Sequence, residues 1–490
     1  MPLRAKILHP AIAGRAQMST SAETIKELPG DEADDVLFNT IYGVRTIELN
    51  RPKKLNSLNG SMARKIVPRL QVCLQATSQQ AFSYTSKEWE KSQLANVIII
   101  RGAGEKSFCA GGDVAALAKS NTEGPKGQQT SKEYFGLEYK LDHLIATYSK
   151  PYVAFMDGIT MGGGVGLSVH APFRIATERT LFAMPESTIG FFPDVGGSFF
   201  LPRLDGEVGT YLALTSERLK GVNAFYSGVA THYIHSSSLP DLEARLSELV
   251  FKDYATLQER NKVIDSTIEE FVTGLPHDEP IHLAGETREA IDRCFKYSTI
   301  EEIIAALKKE GTEWASKTIE TLHQRSPTSV RVALRQMRLG SRWNIAETFQ
   351  REYHIAAKFM EHPDFVEGVS ARLLRKPAET PKWQPASIEE SDDSVTEKFF
   401  TVEGDKRLQL LNEGAGTDYA EYPHAWIGLP SEREVERVVR EGDKTRAQVL
   451  QHFLRARNGK TGVREKVEEI LQRKTRASGA GDKASWIAED

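Results

Sequence analysis

Residues 151 to 197, PYVAFMDGITMGGGVGLSVHAPFRIATERTLFAMPESTIGFFPDVGG, narrow the architectures open to this chain more than any other stretch. They begin with a short apolar run, Pro151 to Met156, bounded by polar residues, which reads as a buried strand. Asp157 and Gly158 make a turn, and three consecutive glycines follow, Gly162 to Gly164, with Gly166 just beyond. An apolar helical segment begins near Val165. Glycines where a strand hands over to a helix leave backbone N–H groups free and unshielded by side chains. Such donors stabilise a developing oxyanion, helped by the helix N-terminal dipole. A tight turn needed only for close packing is the competing reading. The spacing does not fit the dinucleotide fingerprint G-x-G-x-x-G, which sets a Rossmann-type site aside.

A second glycine-rich loop, SFCAGGD at 107 to 113, follows the strand-like run NVIIIRG at 96 to 102. With AMPE and FPDVGG downstream, the two loops form a specific constellation. In it the chain resembles the crotonase (enoyl-CoA hydratase/isomerase) superfamily. Within that superfamily it is most similar to the 3-hydroxyisobutyryl-CoA hydrolase branch, whose DGITMGGGVGLSVH and AMPE…IG.FPDVGG segments stand here nearly verbatim. The similarity runs from about residue 36 to 400.

The resemblance implies an α/β fold, the crotonase-like spiral of ββα turns, with a helical C-terminal region. It implies a two-amide oxyanion hole at Gly112 and Gly163, catalytic acids at Glu186 and Asp194, and a substrate-contacting acid at Glu138. It further implies hydrolysis of the thioester of 3-hydroxyisobutyryl-CoA in valine breakdown, with no cofactor beyond the CoA of the substrate and no metal. From the residues alone each acid has a plainer reading. Glu138 can be a solvated helix carboxylate, Glu186 a helix N-terminal acid, and Asp194 a turn residue before Val195 and two glycines. Acids in apolar surroundings acquire raised pKa values and trade protons near neutrality, which is what the chemistry asks of them.

Hydratases of the superfamily carry a second catalytic Glu shortly after the glycine triplet, where this chain has Gly166. They usually have glycine where this chain has Asp194. Both departures favour hydrolase over hydratase or isomerase.

At 490 residues the chain holds one large α/β domain plus additions. Its three cysteines, Cys73, Cys109 and Cys294, are too few and too far apart for a disulfide framework or a zinc site. Cys109 lies inside the first donor loop, where a small packing residue is expected. No run approaches the roughly 20 apolar residues of a membrane span, so no membrane contact is expected. The first acid is Glu23, and Arg4, Lys6 and Arg15 precede it, the composition of a mitochondrial presequence directing the chain to the matrix. Pro2 and Pro10 weaken an amphipathic helix there, and a disordered basic N-terminus is the alternative.

In chain order, residues 1–35 read as presequence and lead-in, 36–240 as the core, 241–400 as a helical cap, and 401–490 as an extension. VLFNTIYGVRTIELN reads as a hairpin around Tyr42 and Gly43, and an amphipathic helix starts at Ser61. Between them lies RPKKLN, and the resemblance implies that the helical turn after it borders the CoA channel, so that Lys53 and Lys54 meet the nucleotide phosphates; merely solvated lysines are the alternative. Residues 77 to 93 read as a polar surface excursion, 120 to 131 as loop, and Ser131 to Ala146 as a helix carrying Glu138.

From Lys444 to Arg476 ten Lys and Arg stand against three Glu, in a chain of net charge -4. Such an extra helical basic tail is a candidate contact for phosphate backbones or an acidic partner; a merely solvated basic helix is the alternative. Some fungal relatives of the hydrolase branch are built into the small subunit of the mitochondrial ribosome, a role the tail at 444–476 suits. The partners expected are thus an acyl-CoA substrate and, alternatively, that subunit. The oligomeric state stays open.

Overall fold

The computed structural model describes residues 25–75, 96–252, 254–276, 278–401, 407–413, 416–478 and 483–487. The first 24 residues, which include the presequence-like segment, and the polar stretch 77 to 93 lie outside the described residues.

The expected hairpin is β1 (Val36–Ile41) and β2 (Val44–Leu49), turning through Tyr42 at φ 43°. From β2 the chain builds a largely parallel sheet through β3 (Val97–Gly102), β5 (Tyr152–Met156), β7 (Phe173–Ala176) and β10 (His232–Tyr233). A second sheet takes β4 (Ser107–Cys109), β6 (Ile159–Met161), β8 (Leu181–Ala183) and β9 (Leu219–Lys220). Each consecutive pair, β3–β4, β5–β6 and β7–β8, gives one strand to each sheet, so the chain advances as a spiral of ββα turns.

The apolar runs are continuous because a parallel sheet is covered on both faces. Alternation along each strand sends neighbouring side chains into different cores. Ile98 and Ile100 of β3 join Tyr152 and Ala154 against α1 (Gly60–Gln75), while Val97 and Ile99 join Val153 and Phe155 against Leu242 and Ile264.

Helix α2 (Val114–Asn121) is capped by the Asp113 side chain, which accepts from Ala116 N–H. Helix α3 (Pro125–Ala146) begins six residues before the expected Ser131. Pro125 supplies the pre-set φ of a first helical residue, and Gly127 is needed because a Cβ there would collide with the Ser120 carbonyl. The Pro and Gly that read as loop are helix-start chemistry. Beyond residue 240 the cap is helical, with Thr256, Thr299, Thr312, Ser326 and Asn344 each accepting from the N–H three residues on. Each such cap contributes about 1 kcal/mol.

The extension does not project as a solvated tail. Its helices Glu432–Arg440, Arg446–Ala456 and Val463–Lys474 and the hairpin β11 (Thr475–Ser478) with β12 (Lys483–Trp486) close around Val435, Val438, Val449, Phe453, Val467 and Ile470. Much of its charge faces inward. Lys460 is buried against His232 (2.6 Å), Glu269 (2.6 Å) and Asp265 (3.5 Å), and Lys466 meets Asp205 at 2.7 Å. Arg473 and Lys474 are buried against Glu432 at 2.7 and 3.3 Å. The alternative of a merely solvated basic helix is corrected: burying an apolar face brings the cations on its flanks onto acids, those of the core for Lys460 and Lys466 and the extension's own Glu432 for Arg473 and Lys474.

Candidate active site

The two glycine loops converge. Gly112 follows β4, held by reciprocal backbone bonds in which Leu58 N–H donates to Gly111 O and Asp113 N–H to Leu58 O, both 2.8 Å. Gly163 opens helix α4 (Gly163–Val169), one residue after Gly162 at φ 46°. A Cβ on Gly163 would stand 3.4 Å from the Gly112 nitrogen, so the two amides border one small volume. Among the described residues neither N–H donates to another protein group. Two free amides beside each other at a helix N-terminus are the geometry an oxyanion requires.

Carboxylates surround them. Glu138 on α3 is 2% exposed, and its Oε1 lies 2.5 Å from where a Gly163 Cβ would be. Glu186, 5% exposed, begins a short 3-10 turn after β8 and brings its Oε1 within 3.2 Å of a Cβ built on Gly162. Asp194 is buried too, its Oδ2 accepting from the Tyr139 hydroxyl at 2.7 Å. Glu138, Glu186, Asp194, Gly112 and Gly163, scattered over 83 positions of sequence, thus occupy one site. The plain reading of Glu138 as a solvated carboxylate is excluded by its burial.

Burial sets the protonation states. It raises Glu186 well above the ordinary carboxylate range, with Asp194 adding to it. It raises Glu138 likewise, again with Asp194, the Tyr134 hydroxyl working in the other direction. Asp194 itself is pushed up to about 7 by burial, against the lowering effect of its Tyr139 hydrogen bond. An acid near 7 passes protons in either direction at neutral pH.

Three residues of this site went unnoticed in the sequence. Asp142, one helical turn after Glu138, is fully buried with both oxygens unpartnered, raised well above its usual range by burial. Its Oδ2 lies 2.6 Å from where a Gly166 Cβ would be. Position 166 carries no acid, yet a carboxyl from α3 stands at that place in space. Glu352, on the helix Ile345–Phe359, accepts from Gly196 N–H (2.7 Å) and Ser198 N–H (2.8 Å) and so clamps the turn that carries Asp194. Tyr139 fixes the Asp194 carboxylate directly. The period of a helix offered the one available signal, since 134, 138 and 142 share a face.

Cys109 is buried and its thiol pushed up to about 12 by burial, a packing residue rather than a nucleophile. A cleft of about 500 Å³ opens along α2, lined by Lys54, Asp113, Lys119, Thr122, Ser370 and Leu374. Lys54 is paired with Asp113 at 3.3 Å, which brings a cation to the rim of the donor loop. Among the described residues no group of His, Cys, Asp and Glu is arranged to hold a metal ion, and no helix is long and apolar enough to cross a membrane.

Residues 44–400 match the family model described as enoyl-CoA hydratase/isomerase. The chain is 43% identical over 376 residues to a mitochondrial 3-hydroxyisobutyryl-CoA hydrolase of Danio rerio, covering 77% of this chain and 92% of that protein. It is 55% identical over 503 residues to small ribosomal subunit protein mS47 of Neurospora crassa, covering 100% of this chain and 94% of that protein. Among solved structures it resembles a carnitinyl-CoA dehydratase from Mycobacterium thermoresistibile at TM-score 0.65 and 32% identity, covering 78% of this chain and 100% of that one. The spiral of ββα turns, the paired amides and these likenesses agree: the chain belongs to the enoyl-CoA hydratase/isomerase, or crotonase, family.

Proposed function

We propose that the chain is a mitochondrial acyl-CoA thioesterase that hydrolyses 3-hydroxyisobutyryl-CoA to 3-hydroxyisobutyrate and CoA. The observation that carries this reading is Glu186 at the glycine turn that bears the free amide of Gly163, with the charge of Asp194 acting on it. The names of relatives about 42% identical support the choice of substrate. The thioester oxygen accepts from Gly112 and Gly163 N–H, which hold it as it gains charge. Glu186 activates water at the carbonyl carbon, or attacks it to form a mixed anhydride that water then opens. Asp194 orients the 3-hydroxyl and hands a proton to the departing thiolate, with Glu138 closing the other side. Labelled oxygen from water entering Glu186 in a single turnover favours the anhydride route, and its absence counts against that route.

The test is CoA release from 3-hydroxyisobutyryl-CoA by wild type and Glu186→Gln. Turnover falling about 10³-fold in the variant supports the assignment. A folded wild type without turnover defeats it.

A second reading has its own observation. The mS47 relative aligns over all of this chain, extension included, whereas the Danio rerio hydrolase aligns over 77% of it. In this reading the chain is a component of the mitochondrial small ribosomal subunit built on a hydrolase core. Cosedimentation with that subunit tests it, and a wholly ribosome-free pool counts against it.

A further inference from the structure

The extension turns much of its charge inward, through Lys460 and Lys466 to the core, Arg473 and Lys474 to Asp292 and the extension's own Glu432, and Arg457 to its own Glu434, and the charge left outside consists largely of arginine. On the helix Glu432–Arg440, Arg433 and Arg437 are exposed one turn apart. On the helix Arg446–Ala456, Arg455 is exposed on the same side as Gln448, Gln451 and His452, opposite the buried Val449, Leu450 and Phe453, while Arg446 lies half a turn round the helix from it. The Arg457–Glu434 pair at 2.8 Å joins the end of the second helix to the start of the first. The short link 441–445 joins their other ends, so the two run antiparallel side by side.

The exposed acids nearby are mostly taken. Glu436 holds Arg440 (2.7 Å), Glu441 holds Lys444 (2.8 Å), Asp443 holds Lys483 (2.7 Å) and Glu468 holds Arg464 (3.2 Å). Among the described residues Arg433, Arg437 and Arg455 form no ion pair, although Glu441, itself held by Lys444, also feels the Arg437 charge, and Arg446 donates to the neutral Thr475 Oγ1 at 2.8 Å. The outer face therefore carries a positive surplus of guanidiniums, whose fork geometry suits phosphate oxygens. It is not built like a protein-docking face, which needs an apolar centre. The exposed large apolar side chains of the described residues all precede residue 375.

We propose that the outer face of these two helices, through Arg433, Arg437 and Arg455, binds the phosphodiester backbone of RNA. The choice of RNA rests on the ribosomal reading; the face itself rests on the charge arrangement. The family model ends at residue 400, so the face belongs to the part of the chain outside the enzyme family's own match.

The experiment measures binding of the full chain to a fluorescein-labelled RNA hairpin by anisotropy across a potassium chloride series. Wild type is compared with the triple variant Arg433→Gln, Arg437→Gln, Arg455→Gln, and with Lys308→Gln, Lys309→Gln on a remote exposed helix. The expected result is a salt-dependent affinity whose log–log slope drops by about 3 in the triple variant and is unchanged in the remote one. Circular dichroism and 3-hydroxyisobutyryl-CoA binding, which these residues do not touch, check that the triple variant is folded. Absent RNA binding by wild type, or an unchanged slope in the triple variant, overturns the proposal. So does polyglutamate binding as tightly as RNA, which would make the partner an acidic protein. Cosedimentation is scored separately: RNA binding lost in the triple variant, with a wild type that never meets the ribosomal subunit, supports the face and defeats the ribosomal reading.

Discussion

Gly163 has to serve as donor and as empty space at once. A methyl group there would press on the Glu138 carboxylate and come within 3.4 Å of the Gly112 nitrogen. Gly163→Ala is therefore expected to lower turnover about 10²-fold, the usual effect of a misplacement near 1 Å, with little change in the urea midpoint. Asp194 links the site to stability. Raised to about 7 in the folded chain, it holds a proton that the unfolded chain releases near 4. Its stabilising contribution is complete below the unfolded value and declines as pH rises to about 7, by about 1.4 kcal/mol per pH unit. In urea unfolding at pH 5, 6 and 7 the slope of Asp194→Asn should be shallower than that of wild type by about this amount.

The elements behind the site act as clamps. Helix α3 aligns Tyr134, Glu138 and Asp142 on one face because they are spaced four apart, and that face meets the first turn of α4. The helix Ile345–Phe359 reaches the Asp194 turn through Glu352, whose two backbone bonds lie more than 150 residues away in sequence. Glu352→Gln keeps the volume but turns an N–H group toward one of those donors. The expected loss is about 1 to 3 kcal/mol in unfolding free energy. Turnover should fall with it, because Val195 at φ 52° and Gly196 at φ +85° hold Asp194 only while the turn is clamped. A stable Glu352→Gln variant with wild-type kinetics would show that Asp194 is positioned without it.

The molecule as a whole is a crotonase core to which the extension is fastened by buried ion pairs. Lys460 enters a cluster of His232, Asp265 and Glu269, and Arg473 enters one of Glu432 and Asp292. Removing one partner of such a cluster leaves the others buried and uncompensated. Deleting residues 429 to 490 should therefore lower the melting temperature and promote aggregation, since it bares acids and the apolar ring of Phe225 beneath Gly462. A truncated protein as stable and soluble as the full chain would mean the extension contributes nothing to the core.

Local chemistry carries much of this protein. The apolar runs at 96–102 and 151–156 and both glycine loops could be read directly, because strand alternation and φ > 0 turns depend on neighbours a few residues apart. The start of α3 lies six residues before the Ser131 that the sequence suggests, because Pro and Gly serve loops and helix starts alike. Only the tertiary structure decided that Asp142 fills the space beside Gly166, that Glu352 clamps the Asp194 turn, and which cations of the extension point inward. Those outcomes depend on which elements pack against one another, and burial, not residue type, sets whether a carboxyl is a solvated charge or a proton-holding acid.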